Sequence, residues 1–169
     1  MPVKAWNVGD VLSASDMNVW TVPVCVIKPA DTNRNTTTTM TNDPDLVLPL
    51  AASASYDIAS LILYSGAPTG TGDIKWTFTV PAGTTGRYSP IRQNFSSQYT
   101  GWALDQWTDT ENAQTNGTGA GQFCAAFIKG ILVTGGSAGN LTFQWAQNTS
   151  SATNTIVRQN SYLLAQRIA

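Results

Sequence analysis

In the stretch "DIKWTFTV", residues 73–80, the apolar side chains Ile74, Trp76, Phe78 and Val80 occupy every second position, with Lys75, Thr77 and Thr79 between them. Successive side chains of extended backbone point to opposite faces, so a strand made from this stretch buries one face and wets the other. Wound into a helix, the same residues would be scattered around the axis. "NLTFQWAQN" repeats the pattern, Leu141, Phe143 and Trp145 alternating with Thr142, Gln144 and Ala146. A chain with this alternation commits to sheet and needs a second layer to cover its apolar face.

Further strand-like runs lie at residues 22–27 ("VPVCVI"), 45–50 ("DLVLPL"), 56–65 ("YDIASLILYS"), 121–134 ("GQFCAAFIKGILVT"), 154–159 ("NTIVRQ") and 161–168 ("SYLLAQRI"). Two of them, "IASLILY" and "FCAAFIKGILV", are apolar on both faces, which predicts central strands covered on each side by a second sheet or another subunit. Between the runs stand "SGAPTGTGD", "VPAGTTG", "TGGSAGN" and "QNTSSATN", clusters of turn residues of hairpin or loop length. About eight strands with almost no helical periodicity predict an all-β fold, a jelly-roll-type antiparallel β-sandwich. The stretch from residue 87 to 121 is irregular by this reading, with room for one strand around Phe95, Tyr99, Trp102 and Leu104, and Tyr88, Tyr99, Trp102 and Trp107 argue that much of it is anchored.

The front of the chain differs. In "WNVGDVLSASDMNVW", residues 6–20, Ser13 or Ser15 can cap a helical turn "ASDMNVW", with Asp16 favourably placed in its first turn. Such a turn is too short to be stable alone, so Trp6 and Trp20 need a surface, either the chain's own sandwich or a partner's. The sequence therefore divides into an N-terminal arm with a short helix, residues 1–21, and a sandwich domain, residues 22–169.

Composition restricts the function. Of 169 residues only 11% are charged, and the net charge is −1. The nine Lys and Arg are scattered, which argues against nucleic acid as a partner. No apolar run approaches a membrane span and "MPVKAWNVGD" lacks the apolar core of a secretory leader, so cytoplasmic synthesis and no membrane association are expected. A surface with few charges to desolvate lends itself to packing against copies or neighbours. Aromatic residues on both faces of several strands exceed what one thin sandwich covers. Tyr56, Tyr64, Phe127 and Tyr162 are the residues expected at such a subunit interface. Cys25 and Cys124, in separate apolar runs, read as buried reduced thiols; a disulfide would require the two strands to be neighbours.

There is no histidine. The commonest general base, the Ser-His-Asp and Cys-His nucleophile systems and the usual His-bearing zinc sites are therefore missing. The expectation is no enzymatic activity, no metal and no cofactor. One cluster keeps other readings open: Asp105, Asp109 and Glu111 beside Trp102 and Trp107 resemble a small sugar-binding or glycosidase groove in which acids flank aromatic platforms. The plainer reading is a solvated loop with two anchoring tryptophans. Asp43 and Asp45 in "NDPD" offer oxygens for Ca²⁺ without regular loop spacing, and the plainer reading there is a Pro-centred turn.

"W..GDVLSASDMNVW" resembles the N-terminal arm of many tailed-phage virion proteins. The body, with "NRNTTTTMTNDPDLVLPLAASASYDIASLILYSG", "DIKWTFTVPAG" and "LTFQWAQNTSSATNTIVRQNSYLLAQRI", is similar to β-domain proteins encoded in structural gene regions of phages of actinobacteria and their relatives. The resemblance implies a virion structural protein made in the host cytoplasm, of the capsid-decoration or minor-tail type. It implies a homotrimer with a tumour necrosis factor-like jelly-roll body. The arm would touch capsid or tail proteins through Trp6, Val11, Leu12, Met17 and Trp20. A competing expectation is a receptor module holding a host cell-wall sugar at Trp102 and Trp107 with Asp105 and Asp109.

Overall fold

The computed structural model describes residues 7–11, 13–14, 22–66, 74–93, 99–100, 105–107, 113–115 and 123–169, with the backbone course alone for 92–93, 99–100, 105 and 113–115. Among the described residues there are thirteen strands, in chain order: β1 Val24–Ile27, β2 Thr32–Arg34, β3 Thr41–Leu50, β4 Ser55–Ser65, β5 Ile74–Thr79, β6 Thr85–Gln93, β7 Tyr99–Thr100, β8 Asp105–Gln106, β9 Ala113–Thr115, β10 Cys124–Val133, β11 Gly139–Gln147, β12 Thr155–Val157 and β13 Tyr162–Arg167. They form a nine-stranded sheet, ordered β1-β13-β4-β10-β6-β7 with β2, β12 and β8 attached, and a four-stranded sheet ordered β3-β11-β5-β9. Every pairing is antiparallel. The chain passes repeatedly from one sheet to the other: β3 lies in the small sheet, β4 in the large, β5 in the small, β6 in the large, β9 in the small, β10 in the large and β11 in the small.

The runs read from alternation become strands within a few residues of their expected limits. β6 was not expected: Gly86 and Pro90 interrupt it, yet Tyr88 and Pro90 turn inward while Arg87 and Ile91 turn outward, so the alternation persists beneath the punctuation. β2 is a short Thr-Asn-Arg strand without an apolar signal.

The core lies between the sheets. Leu46, Leu48, Leu141, Phe143, Trp145, Trp76 and Phe78 from the small sheet meet Tyr56, Ile58, Ile62, Tyr64, Tyr88, Ile128 and Leu132 from the large one. Phe78 sits among four rings, with centroids 5.8 Å from Trp76, 5.7 Å from Tyr88, 5.4 Å from Trp107 and 5.6 Å from Phe143. All four contacts are edge-on, a geometry ring quadrupoles favour. Gly130 leaves room for Tyr88, because a Cβ there would stand 2.6 Å from the Tyr88 Cβ and 2.5 Å from the Arg87 carbonyl oxygen.

Between β3 and β11 the register slips from Thr142↔Val47 to Gln144↔Asn42. The extra residues on β3 come from "NDPD", where Pro44 has no N–H to give the ladder. Asp43 Oδ1 accepts the N–H groups of Asp45 (3.1 Å) and Leu46 (3.2 Å), which fixes the turn.

Candidate functional site

On the large sheet, strand parity decides which apolar residues reach the outer surface. In β4, Tyr56, Ile58, Ser60, Ile62 and Tyr64 are buried, so Asp57, Ala59, Leu61 and Leu63 face away from the core. In β10, Cys124, Ala126, Ile128 and Leu132 point in, leaving Ala125, Phe127, Lys129, Ile131 and Val133 outside. Directly opposed residues of paired strands share a face. Following the register from Ile27 to Tyr162, Leu61, Phe127 and Ile91 draws one unbroken apolar row over β1, β13, β4, β10 and β6.

Ile27, Phe127 and Ile91 in this row are 62%, 53% and 51% exposed, and Leu61 and Tyr162 are half-buried by their neighbours. Cys25, Leu164 and Ala59 flank it on one side and Leu63 and Ala125 on the other. Beyond them Ile131 and Val133 are also open to solvent. The row is bordered by a surface ion pair, Lys129 Nζ to Asp57 at 2.6 Å. A contiguous exposed apolar surface of this kind marks an interaction site. We take the outer face of the large sheet as the candidate site.

Of the four residues expected at a subunit interface, Phe127 and Tyr162 lie on this face. Tyr56 and Tyr64 do not: they are 5% and 1% exposed and fill the core of their own chain, because their even positions in β4 point inward. Their signal was the double-sided apolarity of β4, whose outward half is Leu61 and Leu63. Ile27, Leu61 and Ile91 escaped sequence reasoning, since only the register brings them beside Phe127.

Of the expected sugar-binding cluster, Trp107 is part of the core. Trp107 is 1% exposed, its indole N–H donates to the Ile131 carbonyl at 2.8 Å, and its ring packs 4.5 Å from that of Tyr88. Both ring faces are occupied within the core. The backbone of Asp105 lies in β8, its side chain is outside the described residues, and Trp102 and Asp109 are outside them altogether.

Asp43 and Asp45 do converge on a cation, and it belongs to the chain. Lys28 Nζ donates to Asp43 Oδ1 at 2.8 Å and to Asp45 Oδ2 at 2.7 Å, with Lys28 and Asp43 completely buried. The Trp145 indole N–H gives Asp43 a further bond at 3.0 Å. Beside it, the Arg34 guanidinium lies 4.0 Å from the Trp145 ring centroid and donates to the carbonyls of Thr41, Asn42 and Trp145. This network ties the end of β1 and β2 to β3 and β11 and has the character of a structural pin.

Cys25 is exposed at the rim of the outer face, against the expectation that both thiols are buried, while Cys124 is buried. Their strands are separated by β13 and β4, roughly 14 Å at ordinary strand spacing, which is out of disulfide reach. At the end of the sandwich Val22, Val24, Pro49, Ala51, Tyr56, Ala165 and Arg167 line a cleft of about 240 Å³, smaller than ordinary ligand pockets.

In the arm, "NVGD" forms a turn: Asp10 N–H donates to the Asn7 carbonyl (3.1 Å), Asn7 N–H donates to the Asp10 carboxylate (2.9 Å), and Gly9 supplies the positive φ of 97°. Val8 and Val11 are fully open to solvent. Trp6, Leu12, Met17 and Trp20 lie outside the described residues, as does the expected helix apart from Ser13 and Ala14.

No protein-family model matches the chain, and no curated protein matches it. Among solved structures, it is similar to a chain in a structure of infectious bursal disease virus, Gt strain, at 8% identity and a TM-score of 0.22, over 89% of this chain and 39% of that one. A structure of the Gx strain of the same virus gives 8% identity and a TM-score of 0.22, over 89% of this chain and 37% of that one. The chain thus spans less than two fifths of either, and a likeness this slight carries no argument about function.

Proposed function

We propose that the chain is a non-enzymatic virion structural protein, a capsid-decoration or minor-tail component that assembles as a homotrimer and is held to the particle by its N-terminal arm, residues 1–21. The observation that carries the reading is the outer face of the large sheet: an ordered, five-strand apolar surface on a chain with a net charge of −1. A lone soluble domain has no use for such a face, whereas a building block does. The repeated passage of the chain between sheets supports the jelly-roll reading of the body. The sequence of the arm supports the tailed-phage reading.

The arm suits attachment in its chemistry. Val8 and Val11 stand clear of the body, and Trp6, Leu12, Met17 and Trp20 add further apolar area in the same segment. Each large side chain fully buried on a neighbour would contribute about 1.5–3 kcal/mol, before the cost of ordering the arm. Three arms on one trimer act together, so a modest single contact yields lasting attachment.

Deleting residues 1–20 tests this. The truncated protein is expected to keep its β-sheet spectrum and its oligomeric mass while failing to join particles in an infected host. Normal incorporation of the truncated protein would remove the arm from the account.

A further inference from the structure

We propose that the row Ile27–Tyr162–Leu61–Phe127–Ile91 is where copies of this chain meet, the β1–β13 half of one copy packing on the β10–β6 half of the next. The inference rests on the reading of the chain as a self-assembling structural protein and adds to it the surface and the pairing. The partner is another copy on three grounds.

The first is the composition of the row. On each side of Leu61 stands an aromatic ring, Tyr162 on β13 and Phe127 on β10, and beyond each ring an isoleucine, Ile27 on β1 and Ile91 on β6. The two halves are therefore alike in size and spacing. Laying one half on the other brings Tyr162 against Phe127 and Ile27 against Ile91, with Leu61 at the centre of the assembly. With each half meeting a different neighbour the contact is heterologous and closes into a ring when the rotation permits, whereas both halves meeting one neighbour would make a two-fold dimer.

The second ground is charge. Lys129, two residues from Phe127 on the same face, already holds Asp57 in its own chain at 2.6 Å, so covering it leaves no unpaired ammonium behind. With a net charge of −1 the copies scarcely repel one another.

The third is area. Five strands at about 4.8 Å spacing and about eight residues at 3.4 Å each make a sheet face of roughly 650 Å² in projection. In a closed ring each copy gives about half of this face to each of two neighbours, so the two contacts together cover the whole of it, and one contact alone falls short of the roughly 800 Å² per partner of a stable pairwise interface.

Disulfide trapping reads the pairing directly. Within one chain Tyr162 and Phe127 both oppose Leu61 from either side of β4, which sets them roughly 10 Å apart and beyond disulfide reach. In a protein carrying Cys25→Ser to remove the exposed thiol, the double variant Phe127→Cys with Tyr162→Cys should give covalently linked chains on oxidation. Each single variant should give none. Linking in the single Phe127→Cys variant would mean that like halves meet, and would overturn the pairing. As a second arm, Phe127→Asp changes a half-exposed surface residue and should reduce the native mass to one chain with an unchanged circular dichroism spectrum. If Phe127→Asp leaves the oligomer intact and the double variant does not link, copies meet elsewhere and the inference fails while the self-assembly reading stands. If the unmodified protein is already a single chain, both fail.

Discussion

At the scale of the residue, Lys28 shows how a charge can be placed in a sandwich core. Its ammonium is fully buried between Asp43 and Asp45, and Asp43 itself takes bonds from Trp145, Asp45 and Leu46. Replacing Lys28 with Met leaves the buried Asp43 without its cation, at a cost on the order of 3–5 kcal/mol in urea unfolding. Adding Asp43→Asn should return part of that loss. Asp31 sets a pH dependence. Its carboxyl is held below the usual carboxylate value of 3.8, chiefly by the Gln159 N–H at 2.8 Å, against some opposing burial, with Arg158 and Lys28 also helping. A carboxylate with a lowered folded value contributes stability above its unfolded value and loses it as pH falls through the folded one. Asp31→Asn should therefore be less stable than the parent at neutral pH, with the two unfolding curves converging as the pH is taken well below 3.8. In the sequence "NDPD" is legible as a Pro-centred turn, but its ligand is not, because Lys28 lies in another segment and nothing local links the two.

At the scale of the element, alternation made the long strands legible and left their outward residues ambiguous. β4 and β10 are apolar on both faces, which is why they were expected to be central, and they are. Which face holds Tyr56 and Tyr64 depends on parity against the second sheet, and the local sequence does not contain that information. β6 was hidden by Gly86 and Pro90, residues that ordinarily end strands. Here Gly86 adopts φ 110° with its Cα side pressed on the Ile131 carbonyl, and Gly130 on the facing strand makes room for Tyr88. Gly130→Ala should consequently force β6 and β10 apart and lower stability by about 1–3 kcal/mol, the ordinary cost of overpacking. An unchanged melting temperature for that variant would mean that the close approach of the two strands is dispensable.

At the scale of the whole molecule, the two sheets cover each other and, among the described residues, leave Ile27, Phe127 and Ile91 exposed on the far side of the larger sheet. Scarcity of charge and abundance of Thr, Ser and Asn were visible in the composition and pointed towards assembly. The outer row was only half legible: Phe127 and Tyr162 were singled out in the sequence and lie on it, while Ile27, Leu61 and Ile91 join them through long-range pairing alone. We propose that this face brings copies together. The native mass of the unmodified full-length protein at micromolar concentration, by sedimentation equilibrium, tests it most directly. A mass three times the 18.0 kDa of the chain is the predicted result, and a single-chain mass that persists as concentration rises would contradict it.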